Sequence, residues 1–407
     1  MKKKEANVMK TKTKRMVGLV LVVISLLGIF AACAKGPAPQ EGTMQSKSVG
    51  ADKTATEMRD TLVIGTESEP PTLHPFDHKA VTAGYMNSLT FNALMKTDPQ
   101  TLEPQLDLAA AYENTSETEW LFTLKEGVLF QDGSTLDAQD VKASMEYART
   151  FATTKDYASF WTDVQAVDAR TVKITTDGPY AMVLSDLASI YILPSECIAA
   201  GNDFSESPVG TGPYRFIEWN RGDSIRFESN EQYFDAAHKP QIKNLVWRII
   251  PEGASRTIAL QAGEVDFIME VEATDINRLQ EDAAVTLQKT EGTRLNFMSM
   301  NSQREPFDNK WFRKAVNAAV DKEAVVTVAC DGEGIATVAQ TSPAFMGSSE
   351  GKGQGYDPEK AAQYLKQSGV EPGQVQFSCL VSNDVARCED FTQSVSFPTT
   401  WPAARPK

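Results

Sequence analysis

The chain has 407 residues, of which 42% are hydrophobic, and its formal net charge is −14. This length and apolar content are typical of two or three globular domains that each bury a core. No basic cluster interrupts the acidic balance after residue 15, which argues against nucleic acid and anionic lipid surfaces as partners.

The amino-terminal segment has the pattern of an exported protein. Residues 1–15 carry seven Lys or Arg and one Glu, and residues 16–32 are seventeen uncharged residues. A membrane-spanning helix needs about 20 apolar residues, so this shorter run predicts a secretory signal peptide over 1–32. An uncleaved anchor helix is the alternative. The motif Phe30-Ala31-Ala32-Cys33 resembles a bacterial lipobox, which implies that Cys33 is lipidated and becomes the first mature residue.

Residues 33–59 are predicted to be a flexible tether. They are rich in Gly, Pro, Ser, Thr and Ala and show no apolar periodicity, and such a composition buries too little apolar surface to order a chain. A lipid, a tether and a soluble body together predict a protein held by its lipid anchor at the extracytoplasmic face of the cell membrane.

Four cysteines remain in the body of the chain, with no Cys-x-x-Cys pair among them, which argues against a zinc site. Outside the cytosol Cys379 and Cys388 can form a disulfide. The thiols can also remain free and partly buried, and the sequence leaves both states open.

The first half of the body mixes strands and helices. Residues 61–66 (TLVIGT) are predicted to form a buried strand, and residues 85–95 a helix. Residues 118–124 (TEWLFTL) and 127–130 (GVLF) are predicted to be short strands that pair with each other.

A helix is predicted to begin at Asp137, because this side chain suits the N-cap position and Asp140 adds negative charge in the first turn. Its predicted apolar stripe consists of Ala138, Val141, Met145 and Ala148.

The second half begins with a predicted hairpin, in which residues 213–219 and 223–229 alternate apolar and polar positions. Residues 245–269 then have the pattern of a strand, a helix that ends at Gly263, and a second strand, which indicates an α/β layer. Helical stretches are predicted over 310–329 and 358–367, and a strand is predicted over 375–381.

The motifs of common enzymes are missing from the sequence. His74 and His78 are four residues apart, but the prolines around them argue against the helix that a metal pair would need. The motif Gly210-Thr211-Gly212 leads into a strand and lacks the third glycine of a dinucleotide site. There is neither a P-loop nor a nucleophile elbow. We therefore predict no catalytic residues, no metal and no cofactor.

Four stretches resemble the extracellular solute-binding proteins of bacterial ABC importers, in the family 5 class that binds dipeptides and oligopeptides. They are residues 118–149, 208–234, 245–268 and 306–326. The resemblance runs from about residue 61 to about residue 393. It implies an α/β fold in which two lobes close on a ligand about a hinge.

The resemblance also implies domain boundaries and partners. The first lobe would comprise 60–85 and 206–295, with an inserted subdomain over 86–205, and residues 296–393 would form part of the second lobe. The expected partners are a peptide ligand and the transmembrane subunits of an ABC permease, with the binding protein itself a monomer. Nickel, haem or sugar ligands occur on similar scaffolds and remain alternatives.

Three residues are candidates for ligand contact on the basis of the resemblance. Ser68 and Glu69 lie in the loop after the first strand, where a carboxylate can meet the ammonium of a peptide. Plain solvation of an exposed loop acid is the alternative. Asn296 lies near the expected crossover between lobes. Thr211, Gly212 and Pro213 are interpreted as turn residues.

The last residues depart from the family pattern. After Gln393 the sequence contains three prolines and no periodicity, and family members are considerably longer. The second lobe is therefore expected to be incomplete, with 394–407 a tail outside the family. A truncated remnant that does not bind is the alternative to a peptide-binding lipoprotein.

Overall fold

The computed structural model describes residues 60–343, 345, 348, 353–371, 375 and 378–380. The predicted signal peptide and the whole predicted tether, including Cys33, lie outside the described residues, and so do Cys388 and the tail after residue 393. The strand predicted over 375–381 lies partly outside them.

The described residues form a mixed α/β fold. The strands are β1 (Thr61–Thr66), β2 (Met95–Thr97), β3 (Pro104–Leu106), β4 (Ala109–Asn114), β5 (Glu119–Leu124), β6 (Trp161–Ala166), β7 (Thr171–Thr176), β8 (Tyr214–Asn220), β9 (Ser224–Ser229), β10 (Asn244–Ile249) and β11 (Phe267–Ile268). The helices are α1 (Val81–Thr90), α2 (Ala138–Ala148), α3 (Val183–Leu187), α4 (Ser195–Ala199), α5 (Gly253–Gln261), α6 (Ala273–Gln280), α7 (Lys310–Ala319), α8 (Lys322–Ala329) and α9 (Pro358–Ser368), and one 3-10 turn covers Ala236–His238. None of the helices found in these residues has the length and apolar character needed to cross a membrane.

A five-stranded sheet in the order β11-β1-β10-β9-β8 forms the first layer. Strand β1 is parallel to β10 and β11, and β9 is antiparallel to β10 and β8. The predicted strand over 61–66, the hairpin and the strand–helix–strand unit are confirmed. Side chains alternate across a strand, so Ile64 packs on one face with Trp247 and Met86, and Val63 on the other with Ala259 and Ile268.

A four-stranded antiparallel sheet in the order β4-β5-β7-β6 forms a second layer. Helix α2 packs on it through the predicted apolar stripe, which is fully buried. Asp137 caps this helix as predicted, since its Oδ1 accepts the Gln139 amide at 2.7 Å and the Asp140 amide at 3.2 Å. The Asp137 amide in turn donates to Asp140 Oδ2 at 2.9 Å, which completes a capping box.

The predicted pairing of residues 118–124 with 127–130 is wrong. The partners of β5 are β4 and β7. Residues 127–130 instead turn back on 134–136, because the Phe130 amide donates to Ser134 O at 2.8 Å and the Leu136 amide to Val128 O at 3.0 Å. The tight turn at Asp132-Gly133 makes this local closure possible, with Gly133 at a φ of 92°.

The helix predicted over 85–95 is also placed wrongly. Helix α1 ends at Thr90, and Phe91 is extended, with φ −121° and ψ 156°. Residues 91–95 leave the helix to bury Phe91, Leu94 and Met95 in the core of the second layer. Their burial in another layer therefore overrides the local helical pattern.

The two sheets are joined where the Gly-Thr-Gly motif meets the end of α1. The Gly212 amide donates to Thr90 O at 2.8 Å, and Gln131 donates from Nε2 to Tyr214 O at 2.8 Å. A Cβ on Gly212 would lie 2.6 Å from Thr90 O, closer than such atoms pack. The glycine is therefore more than the turn residue that we predicted, because it permits a close approach of two backbones.

Helices α7 and α9 form a small pair of their own. Phe312 and Val316 of α7 pack against Leu365 of α9, and Asn309 donates from Nδ2 to Ser368 O at 2.9 Å. The single helix predicted over 310–329 is broken after Ala319, because Asp321 caps a new helix by accepting the Ala324 amide at 3.0 Å. The helix predicted over 358–367 is confirmed and ends at Gly369, which has a φ of 70°.

Candidate functional site

The carboxyl ends of the three parallel strands β1, β10 and β11 meet at one edge of the five-stranded sheet. Three loops leave this edge, at residues 67–69, 250–252 and 269–272. In open α/β sheets, ligands bind in the crevice outside the carboxyl ends of the strands. These loops are therefore the candidate functional site within the described residues, and we call them the edge loops.

Ser68 and Glu69 both lie in the first edge loop. Ser68 is exposed and Glu69 is half-buried. The Glu69 carboxylate is already engaged, because its Oε2 accepts the Trp219 indole N–H at 2.9 Å and the Gly222 amide at 3.0 Å. This side chain ties the loop to the tip of the β8–β9 hairpin. Its predicted contact with a ligand stays a prediction, and of its two oxygens Oε1 carries neither of these bonds.

The opposite end of the loop after β1 is fixed by His74 and Phe76. Both side chains are buried. His74 Nδ1 accepts the Phe76 amide at 3.1 Å, and its Nε2 lies 3.2 Å from the hydroxyl of Tyr147 on α2. Burial lowers the pKa of His74, although Asp77 and Asp203 oppose this. The histidine thus anchors the loop in the core of the second layer.

His78 has a different partner from His74. Its Nε2 lies 2.7 Å from Asn87 Nδ2, so the ring accepts from the amide, and burial lowers the pKa of His78. No group of three His, Cys, Asp or Glu in the described part of the chain is arranged to hold a metal ion. The pair that the sequence places four residues apart therefore serves two separate structural contacts.

Two carboxyl groups meet across the edge loops. Glu270 follows β11, and its carboxyl group lies beside that of Glu67, which follows β1. Burial and the neighbouring Glu67 raise the pKa of Glu270, whereas the cations Arg256 and Arg294 act in the opposite direction. Two carboxylates so close together repel each other, which disfavours the ionised form of Glu270 and makes this place favourable for a cationic group.

Asn296 lies apart from these groups in the chain. It is exposed, and residues 283–300 contain neither helix nor strand. The neighbouring side chain Phe297 is 78% exposed. The role of Asn296 in ligand binding remains a prediction.

Sequence reasoning missed Glu67, Glu270 and Arg256. Glu67 comes directly after β1, and Glu270 comes two residues after β11. This position at the end of a predicted strand was the sequence feature that could have indicated both residues. In the sheet, Gly65 of β1 lies opposite Ile268 of β11. These residues are about two hundred positions apart in the chain, so no local sequence pattern shows that the two strands are neighbours.

The fold agrees with the comparison to known families. A family model described as "Bacterial extracellular solute-binding proteins, family 5 Middle" matches residues 103–395. This is most of the chain, and the chain therefore belongs to this family. The family and the relatives below are solute-binding proteins and not enzymes, and their fold is the two-lobed α/β fold of periplasmic binding proteins.

Three relatives illustrate the similarity. The glutathione-binding protein GsiB of Escherichia coli (strain K12) is 27% identical over 319 residues, which are 77% of this chain and 62% of the relative. A dipeptide-binding protein from Pseudoalteromonas sp. SM9913 in complex with Met-Leu has a TM-score of 0.67 at 21% identity, over 77% of this chain and 68% of that one. DppA from Helicobacter pylori in complex with the peptide STSA has a TM-score of 0.66 at 23% identity, over 77% and 67%. The chain thus spans 62% of the length of the curated relatives it matches.

Proposed function

We propose that this chain captures short peptides outside the cell membrane and delivers them to the permease of an ABC importer. Relatives bind glutathione, the dipeptide Met-Leu and the peptide STSA. The observation that carries the proposal is the position of the edge loops, which place Glu67, Glu69 and Glu270 next to the carboxyl ends of parallel strands. A peptide offers the complementary groups, namely backbone amides and a terminal ammonium.

Within this site, Ser68, Glu69 and Asn296 are the proposed ligand contacts. Ser68 is exposed and has a hydroxyl for a ligand carbonyl or amide. Glu69 contributes its charge through Oε1, while Oε2 holds the hairpin tip. Asn296 would approach from the segment that leads away from the five-stranded sheet. The second lobe would supply the remainder of the enclosure.

The test is direct binding by the 407-residue chain. Glutathione, Met-Leu and Ser-Thr-Ser-Ala are titrated in a calorimeter, and each mixture is then analysed by mass spectrometry. We expect binding of at least one peptide without cleavage products. Failure to bind any peptide would refute peptide capture, and cleavage would refute a purely binding role.

Two substitutions separate the roles of Glu69. Glu69→Gln keeps an oxygen for the Trp219 and Gly222 donors but removes the charge, so it should weaken peptide binding with little change in melting temperature. Glu69→Ala should lower both. Glu264→Gln is the matched control, because Glu264 is an exposed acid paired with Arg248 at 3.1 Å. If Glu69→Gln and the wild type bind peptide with equal affinity, the Glu69 charge does not contribute to ligand binding.

In the proposed function, a lipid on Cys33 holds the chain at the membrane. The motif before this cysteine and the composition of residues 33–59 support lipid anchoring. Cys33→Ser should move the chain from the membrane to the soluble fraction or block its processing. Equal membrane retention of both forms in fractionation would count against the anchor.

A further inference from the structure

A single buried arginine links two of the three edge loops. Arg256 lies on α5 and is only 2% exposed. Its Nη1 donates to Ile250 O at 2.8 Å and to Pro251 O at 2.9 Å, and its Nη2 donates to Glu270 O at 3.3 Å. One planar guanidinium therefore holds the backbone that follows β10 and the backbone that follows β11.

Packing of a helix on a sheet does not require a cation at this position. Two other residues that α5 packs in the apolar cluster with this sheet, Ala259 and Leu260, carry no charge. A buried charge is unfavourable unless polar groups surround it. Here those groups are carbonyl oxygens of the edge loops, so the side chain is matched to the loops and not to the core.

The loop after β11 needs this support more than the others. Glu270 has a φ of 56°, a left-handed conformation that is uncommon and unfavourable for a residue with a side chain. Arg256 bonds to the carbonyl oxygen of this residue. In this conformation the Glu270 carboxyl reaches Glu67, so the backbone contact and the carboxyl pair depend on the same local geometry.

We propose that Arg256 is a positioning residue of the ligand site, which fixes the edge loops after β10 and β11 and thereby the Glu67–Glu270 pair. This inference rests on the proposed function, because it assigns the edge loops to ligand binding. Arg256 itself touches no ligand. The charged groups that face Glu270 are Glu67 from the loop after β1, Arg256 from α5 and Arg294.

The test compares Arg256→Met, which removes the donors and the charge, with Arg256→Lys, which keeps the charge but lacks the planar fork. Arg248→Met is the control, because Arg248 is a partly exposed arginine of β10 that pairs with Glu264. Amide hydrogen exchange is measured on all four proteins, followed by titration with glutathione, Met-Leu and Ser-Thr-Ser-Ala between pH 4 and pH 8.

The positioning role predicts three results. In Arg256→Met, the amides of 252–254 and 269–272 exchange faster while those of β1 and β10 keep their protection. Peptide affinity falls roughly tenfold, since small displacements of binding groups are costly, and Arg256→Lys restores part of it. The pH below which peptide affinity falls, which we call the acid limb, moves to a higher value in Arg256→Met alone, because the loss of a nearby cation disfavours ionisation of Glu270.

Other results would overturn the inference. Unchanged exchange of the two loops in Arg256→Met would show that the arginine does not hold them. A uniform loss of protection across the sheet, with no shift of the acid limb, would show a role in stability alone. If the wild type binds none of the peptides, the proposed function fails, while the exchange data still decide whether Arg256 fixes the loops.

Discussion

Gly212 offers the sharpest test of how the two sheets are joined. In Gly212→Ala the new Cβ would lie 2.6 Å from Thr90 O, and the Leu89 carbonyl oxygen would be closer still. Carbon and carbonyl oxygen atoms approach to about 3.3 Å at closest in ordinary contacts. Because the nearest oxygen, that of Leu89, would lie at 2.4 Å, the hairpin start and the end of α1 must separate by about 0.9 Å.

The expected loss of stability follows from two effects. Overpacking a close contact costs about 1–3 kcal/mol. The separation also weakens the hydrogen bond from the Gly212 amide to Thr90 O, which has a length of 2.8 Å and is worth about 1 kcal/mol. We therefore expect Gly212→Ala to lower the free energy of unfolding by about 2–4 kcal/mol.

Urea unfolding followed by fluorescence measures this loss, with Gly84→Ala as the matched control. Gly84 lies inside α1, and a Cβ there meets nothing within 4 Å. Alanine in this helix should stabilise the protein by about 0.5–1 kcal/mol. If Gly212→Ala unfolds at the same urea concentration as the wild type, the backbone contact does not restrict this position and the reasoning is wrong.

Three further substitutions test single polar groups. Asp137→Ala removes the acceptor for two amides at the start of α2 and should lower the free energy of unfolding by about 1 kcal/mol; an unchanged urea midpoint would contradict this. Burial raises the pKa of Asp107 above 3.8, so the wild type loses stability as pH rises from this value through the folded pKa. Asp107→Asn should abolish that loss in melting temperature, and a profile parallel to the wild type would exclude this titration. Burial lowers the pKa of His74 below 6.5, so stability is present at neutral pH and is lost as pH falls from 6.5 toward the folded pKa. His74→Asn keeps an acceptor for the Phe76 amide and should reduce the slope of melting temperature against pH in this range, whereas an equal slope would show that His74 does not contribute.

Elements fixed by short-range chemistry could be predicted from the sequence. Helix α2 is an example, because the Asp137 cap and the buried stripe lie within eleven residues of one another. The β8–β9 hairpin is another, because its turn and its alternation are local. In both cases the pattern that stabilises the element is complete within the element itself.

The errors arose where burial in a distant part of the fold decided the structure. Residues 91–95 continue the apolar character of α1, but they pack into the second layer and adopt an extended conformation. Arg256 was missed for the same reason. Periodicity treats an arginine as a surface residue, and the carbonyl oxygens that surround it come from the loops after β10 and β11, which meet only in the folded sheet.

The candidate site shows how these distant contacts determine binding. The loop after β1 is fixed at one end by Glu69, which holds the hairpin tip, and at the other by His74 and Phe76 in the second layer. A loop held at both ends has little freedom left to lose when a ligand binds, so the ordering cost of association falls mainly on the ligand and on whatever closes over it. Ser68 lies between the end of β1 at Thr66 and the fixed Glu69. It is therefore presented before the ligand arrives, and the adaptability that different peptides require must come from elsewhere in the site.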